Sequence, residues 1–164
     1  MHSLVGYTGF VGSNIVCSHS FDCLYNTKNI NNAYGTEPDL LVYAGLRAEK
    51  FLANSNPEKD KASIEEAITN LERIKPKILV LISTIDVYKK PVGLDEDSEK
   101  DTDGLLPYGL HRLELEKYVE AHFDKYLIVR LPGLFGKNIK KNFIYDLIHY
   151  IPALLNENIY SELV

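Results

Sequence analysis

Between a short apolar stretch, Ser3-Leu4-Val5, and a segment of helical character, Val11 to His19, the chain carries Gly6-Tyr7-Thr8-Gly9-Phe10-Val11-Gly12. Glycine at every third position lets a strand turn tightly into a helix and lets another group come close to the backbone. The unpaired N–H groups and partial positive charge of a helix start favour an anion, and a dinucleotide pyrophosphate suits this spacing. Gly6, Thr8, Gly9, Phe10, Val11 and Gly12 are the candidate contacts. The same spacing also serves a plain strand-to-helix connection, so the rest of the chain has to decide between the two.

Apolar bursts at Leu4-Val5, Cys23-Leu24-Tyr25, Leu40 to Tyr43, Ile78 to Ile82 and Tyr126 to Val129 read as five short strands. The third, fourth and fifth are nearly continuous in apolar residues, as expected for parallel strands covered on both faces. Val11 to His19, Pro57 to Ile74 and Pro107 to Phe123 read as helices between them. Alternation of strand and helix predicts an α/β fold: a three-layer, doubly wound parallel sheet of order 3-2-1-4-5, with ligands at the carboxyl ends where the order reverses. Asn26 to Pro38 and Lys89 to Gly104 read as loops, the second carrying a solvated acidic run from Asp95 to Asp103.

At 164 residues the chain is sized for one domain, with 137–164 a helical tail or the start of a truncated substrate lobe. A net charge of −5 gives no global attraction to nucleic acid, and no partner of that kind is expected. No apolar run approaches the roughly 20 residues that cross a bilayer, and Met1-His2-Ser3 leads straight into the turn without a signal segment. A cytoplasmic location and no membrane partner follow as expectations. Cys17 and Cys23 form neither a metal-spaced cluster nor a disulfide framework, and His2, His19, His111, His122 and His149 are dispersed, so no bound metal is expected.

After the fourth strand come Ser83-Thr84-Ile85-Asp86-Val87-Tyr88 and, further on, Leu106-Pro107-Tyr108-Gly109-Leu110-His111-Arg112. Together with the glycine turn and Val129-Arg130-Leu131-Pro132-Gly133-Leu134-Phe135-Gly136, this pattern resembles the extended short-chain dehydrogenase/reductase family, particularly its nucleotide-sugar epimerases, dehydratases and reductases. The resemblance runs from Ser3 to about Gly136. It implies an NAD(P)-binding Rossmann fold in which Thr84 hydrogen-bonds the reacting oxygen, Tyr108 exchanges its proton, and Pro132 lies beside cofactor and substrate. Four residues after that tyrosine the family normally has a lysine that lowers the phenol pKa and contacts the cofactor ribose; here stands Arg112. Helical spacing keeps Tyr108 and Arg112 on one face, so the charge can still favour tyrosinate, but a planar, permanently protonated guanidinium does not reproduce lysine's contacts. Pro107-Tyr108-Gly109 is also a reasonable helix entry, and Thr84 a reasonable strand-end hydroxyl. Ser83 is the weaker choice, and Ile85 stands where the sugar 4,6-dehydratases have an acid, which disfavours dehydration despite Asp86.

For the cofactor, the second strand ends in Tyr25-Asn26-Thr27-Lys28 instead of the carboxylate usual in NAD-selective members. Asn26 can hydrogen-bond a ribose, and Thr27 with Lys28 can accept a 2′-phosphate, so NADP is favoured over NAD. Ala44 and Gly45 suit close approach of the adenosine, or close packing inside the sheet. Lys137, Lys140 and Lys141 are candidates for a substrate diphosphate or a solvated helix start, and the apolar residues from Phe143 to Leu163 cover the sheet or join a homodimer interface. The expected function is an NAD(P)-dependent oxidoreductase or epimerase acting on a carbonyl or hydroxyl of a nucleotide sugar or related small polar metabolite. The alternatives are a noncatalytic dinucleotide-binding sensor or assembly protein and, with the Thr84 and Tyr108 pattern a coincidence, a flavodoxin-like phosphate binder.

Overall fold

The computed structural model describes residues 1–136, Ile139 and Tyr145. The chain divides into two units, Met1–Pro132 and Gly133–Val164. The expectations for Lys137, Lys140, Lys141 and the apolar residues from Phe143 onward lie outside the described residues.

Strands β1 (His2–Val5), β2 (Cys23–Tyr25), β3 (Leu40–Tyr43), β4 (Leu79–Thr84) and β5 (Tyr126–Leu131) form one sheet. All four pairings are parallel, in the order β2-β1-β3-β4-β5. Helices α1 (Phe10–Ser18), α2 (Lys50–Ser55), α3 (Pro57–Ile74) and α4 (Pro107–His122) fill the connections. The doubly wound parallel sheet is therefore the architecture the apolar bursts call for. Its wind reverses at β1, as in a 3-2-1-4-5 sheet, but among the described residues no strand lies outside β2. The third strand in the chain consequently pairs with β1 and β4. The reason is local: the Asn-rich connection from Asn26 to Pro38 has no apolar run to extend the edge, and it forms a single 3-10 turn, Ile30–Ala33.

Right-handed crossovers send α1 toward β2 and α3 and α4 the other way, which puts them on opposite faces. Ile64, Ala67, Leu71 and Ile74 of α3 and Leu115 and Val119 of α4 pack with Leu41, Tyr43, Leu79 and Leu81 in the main core. Helix α3 has conventional ends. Asn56 caps it by accepting from the Lys59 N–H at 3.2 Å, Pro57 opens the first turn beside Glu58 and Asp60, and Lys75 closes it in the left-handed region at φ 55°. Helix α4 is unusual in what it buries: Tyr108, His111, Arg112 and Glu116 lie inside together with Leu113 and Leu115. Burying such groups is costly unless each is paired, and each pairing below ties α4 to another element.

Candidate functional site

The crevice at the reversal of the sheet is built by backbone. Gly6 follows β1 with φ 91°, and a Cβ there would lie 2.3 Å from the Ala44 carbonyl oxygen and 2.8 Å from the Gly45 nitrogen. Only glycine permits that conformation and that approach. The Gly6 N–H donates to the Tyr25 carbonyl at 2.8 Å, the Ala44 N–H to the Val5 carbonyl at 2.9 Å, and the Gly9 N–H to the Gly6 carbonyl at 3.0 Å. Three carboxyl ends thus converge where α1 begins. Helix α1 has Gly9 at its cap with no side-chain acceptor, and its first turn holds no acidic residue. Thr8 and Gly9 are exposed, Phe10 and Val11 half-buried, and Gly12 buried. With no side-chain cap and no acidic residue in the first turn of α1, this cradle fits a pyrophosphate.

At the end of β2, the Asn26 side chain accepts the Lys28 N–H at 2.8 Å and donates to the Tyr7 hydroxyl at 3.2 Å. Tyr7, which the glycine pattern does not mark, therefore meets Asn26 at the crevice mouth. Thr27 and Lys28 are exposed there. Pro132, just past β5, is also exposed.

The second half of the site lies at the carboxyl end of β4. Ser83 points to α4, where its hydroxyl donates to Glu116 at 2.5 Å. Arg130 of β5 grips the same carboxylate through Nε and Nη2 at 3.0–3.2 Å, and its Nη1 donates to the Tyr88 hydroxyl at 3.0 Å. Thr84, next along the strand, caps the 3-10 turn Ile85–Val87 by accepting the Asp86 N–H at 3.2 Å, and it donates to the Asp86 carboxylate at 3.3 Å. Tyr108 lies near Thr84, close enough for that hydroxyl to act on its phenol. Gly109 permits this contact: a Cβ on it would fall 1.9 Å from the Asp86 carbonyl oxygen, so α4 starts directly against the turn. The Tyr108 N–H donates to the Asn54 side chain at 2.9 Å, and Lys50 reaches Asp86 at 3.0 Å, so the short helix α2 closes the other side.

Arg112 lies under the ring of Tyr108, its Cζ 3.9 Å from the ring centroid. Its Nη1 donates to Asp60 of α3 at 2.6 Å and to the Tyr108 carbonyl at 3.1 Å, and its Nη2 donates to the Arg47 carbonyl at 3.0 Å. His111 Nδ1 hydrogen-bonds the same Asp60 oxygen at 2.8 Å. The three side chains are 5–8% exposed. Burial works to raise the Asp60 carboxyl, but the bonds and charges of Arg112 and His111 outweigh it and hold it below the usual range. For Tyr108, 7% exposed, burial is the largest influence and raises the phenol. The Arg112 charge and the nearby Thr84 hydroxyl oppose that rise, while Asp86 and Asp60 add to it. The resting phenol is therefore a proton donor. The structure brings Thr84, Tyr108 and Arg112 together, and it adds Asp60, Lys50 and Asn54, which no local pattern marks. Among the described residues no helix is long and apolar enough to cross a membrane, and no group of three metal-ligating side chains forms.

No family model matches this sequence, and no curated relative does. Solved structures do. A dTDP-4-dehydrorhamnose reductase from Bacillus anthracis, in complex with NADP, is 20% identical with a TM-score of 0.73, over 90% of this chain and 58% of that one. A short-chain dehydrogenase/reductase superfamily protein from Agrobacterium tumefaciens, with bound NAD, is 18% identical with a TM-score of 0.59, over 79% and 48%. A UDP-N-acetylglucosamine 4-epimerase from Bacillus cereus is 18% identical with a TM-score of 0.63, over 87% and 57%. The chain therefore shares the Rossmann-type α/β fold of these structures. It spans about half to three-fifths of the length of these structures.

Proposed function

We propose that the chain binds a nicotinamide dinucleotide across the Gly6 crevice and serves an oxidoreductase or epimerase of the extended short-chain type, acting on a carbonyl or hydroxyl of a nucleotide sugar or related polar metabolite. One observation carries the reading: Thr84 and Tyr108, far apart in sequence, meet at the carboxyl end of β4, in the same sheet whose reversal holds the pyrophosphate cradle. The three similar structures, a reductase with NADP, a protein with NAD and a nucleotide-sugar epimerase, support the cofactor and substrate class. Gly6, Gly9, Gly12 and the first N–H groups of α1 hold the pyrophosphate, and Ala44 and Gly45 border the adenosine. Asn26 faces a ribose. NADP is favoured because β2 ends without a carboxylate and is followed by the exposed Thr27 and Lys28.

When bound, the dinucleotide supplies or takes up hydride. Tyr108 donates its phenolic proton to the substrate oxygen, the Thr84 hydroxyl holds that oxygen, and Arg112 keeps its charge against the Tyr108 ring. Mixing the chain with reduced dinucleotide and a nucleotide 4-dehydro sugar, and following loss of the reduced cofactor's absorbance, tests the reaction. Turnover abolished by Tyr108→Phe with binding retained supports it; equal turnover in that variant removes Tyr108 from the role. A second reading, a noncatalytic dinucleotide sensor, gains from the engagement of Arg112 with Asp60 and two backbone carbonyls, which ties its guanidinium to the scaffold. That reading expects cofactor binding without turnover. A cytoplasmic, homodimeric protein remains the accompanying expectation.

A further inference from the structure

We infer that Asp60 is a positioning residue for Tyr108: by binding Arg112 it balances the guanidinium held against the phenol ring, keeps Tyr108 a neutral donor, and so sets the site for reducing a carbonyl. This rests on the proposed role of Tyr108 as the proton-exchanging group. The argument starts from charge. Arg112 lies 3.9 Å from the Tyr108 ring centroid and is permanently protonated. Left unbalanced in a buried site, such a cation would draw the phenol toward tyrosinate. Asp60 reaches across from α3 to meet Arg112 Nη1 at 2.6 Å, and its other partner, His111, fixes the carboxylate from the same turn of α4.

The remaining groups facing Tyr108 do not restore a net positive charge. From the turn after β4 come the Thr84 hydroxyl and the Asp86 carboxylate, and from α2 comes Lys50, which is paired to Asp86. Arg112 is paired with Asp60, Lys50 with Asp86, and His111 bonds Asp60 as well. The net direction is a raised phenol. In the reductive step the phenolic O–H bond of Tyr108 breaks and a new O–H bond forms on the substrate. The carbonyl carbon takes the hydride pair from a reduced nicotinamide dinucleotide, which leaves oxidised. The tyrosinate then regains a proton from water. Oxidation of an alcohol needs the tyrosinate beforehand, and the Asp60 charge works against it.

The test is a titration of Tyr108 in the full chain without cofactor, so a failure of dinucleotide binding and a failure of this inference are separate results. Tyrosine labelled with carbon-13 at Cζ reports ionisation, the Tyr108 signal is assigned by its loss in Tyr108→Phe, and pH runs from about 8 to as high as each variant stays folded, beyond the ordinary tyrosine value of about 10. Asp60→Asn is expected to lower the midpoint by about one unit or more, and Asp60→Glu to keep it near the starting value. Arg112→Gln is expected to raise it, and the double variant Asp60→Asn with Arg112→Gln to return it toward the starting value. A purely structural role would not produce these opposite signs. An unchanged midpoint in folded Asp60→Asn overturns the inference. Should Asp60→Asn fail to fold, Arg112→Gln and the double variant decide, and a midpoint unmoved in both overturns it equally.

Discussion

Tyr108, Arg112 and Asp60 show how differently single residues announce themselves. Tyr108 was singled out by resemblance: Leu106-Pro107-Tyr108-Gly109, coming after the Ser83-Thr84 strand end, is similar to the short-chain dehydrogenase/reductase pattern. Asp60 was not. In sequence it is an acid in the first turn of a helix, where the dipole explains it fully, and its pairing with His111 and Arg112 needs the folded topology. Two predictions belong here. Tyr108→Phe is expected to leave dinucleotide affinity within about threefold, less than 0.7 kcal/mol, while abolishing proton transfer, measured by calorimetry beside turnover. Asp60 gives an acid signature. Its folded carboxyl lies below its unfolded value, so its stabilisation is present above the ordinary carboxyl range and is lost as pH falls through the lowered folded value. Urea midpoints are expected to drop as pH falls below about 4, with a shallower slope in Asp60→Asn; equal slopes would place the acid sensitivity elsewhere.

Helix α4 is the element that joins scaffold to site. Its apolar positions, Leu113, Leu115 and Val119, gave the helix its pattern, yet its buried polar residues carry the connections: Arg112 and His111 to α3, and Glu116 to Ser83 of β4 and Arg130 of β5. Glu116 is fully buried, and Arg130 is its charge partner. Glu116→Ala strands that guanidinium and is expected to cost about 3–5 kcal/mol of stability, read from denaturant unfolding. Gly109→Ala tests the contact between helix and turn. With a Cβ 1.9 Å from the Asp86 carbonyl the helix start must move, and a loss of about 1–3 kcal/mol together with weakened turnover is expected. An unchanged melting temperature would mean that α4 tolerates a shift at its first turn. Helix α2 was missed for a physical reason: Lys50–Ser55 is too short for a periodicity to develop, and Phe51 and Leu52 on it remain exposed. It holds its place through Asn54 and the Tyr108 N–H.

Across the whole molecule, parallel sheet and two-sided winding were readable because central parallel strands are apolar on both faces, as in Leu40 to Tyr43 and Ile78 to Ile82. The strand order was only partly readable. Leu40-Leu41-Val42-Tyr43 looks the same to the eye whether it lies outside β2 or beside β1, and that no strand lies outside β2 among the described residues depends on what Asn26 to Pro38 fails to form. That arrangement matters to function, because an order in which the third strand pairs with the first also occurs in flavodoxin-like sheets, whose switch point takes a flavin. The proposal of a nicotinamide dinucleotide rests instead on the glycine cradle and the approach of Tyr108 to Thr84. The decisive measurement is calorimetric titration of the folded chain with NADPH, NADP, NADH and NAD, with FMN beside them. Binding of a nicotinamide dinucleotide at micromolar affinity, about −8 kcal/mol, tighter for the 2′-phosphorylated pair and lost in Gly6→Ala, is the expected result. No binding of any of the four, or binding of FMN in their place, would contradict the account.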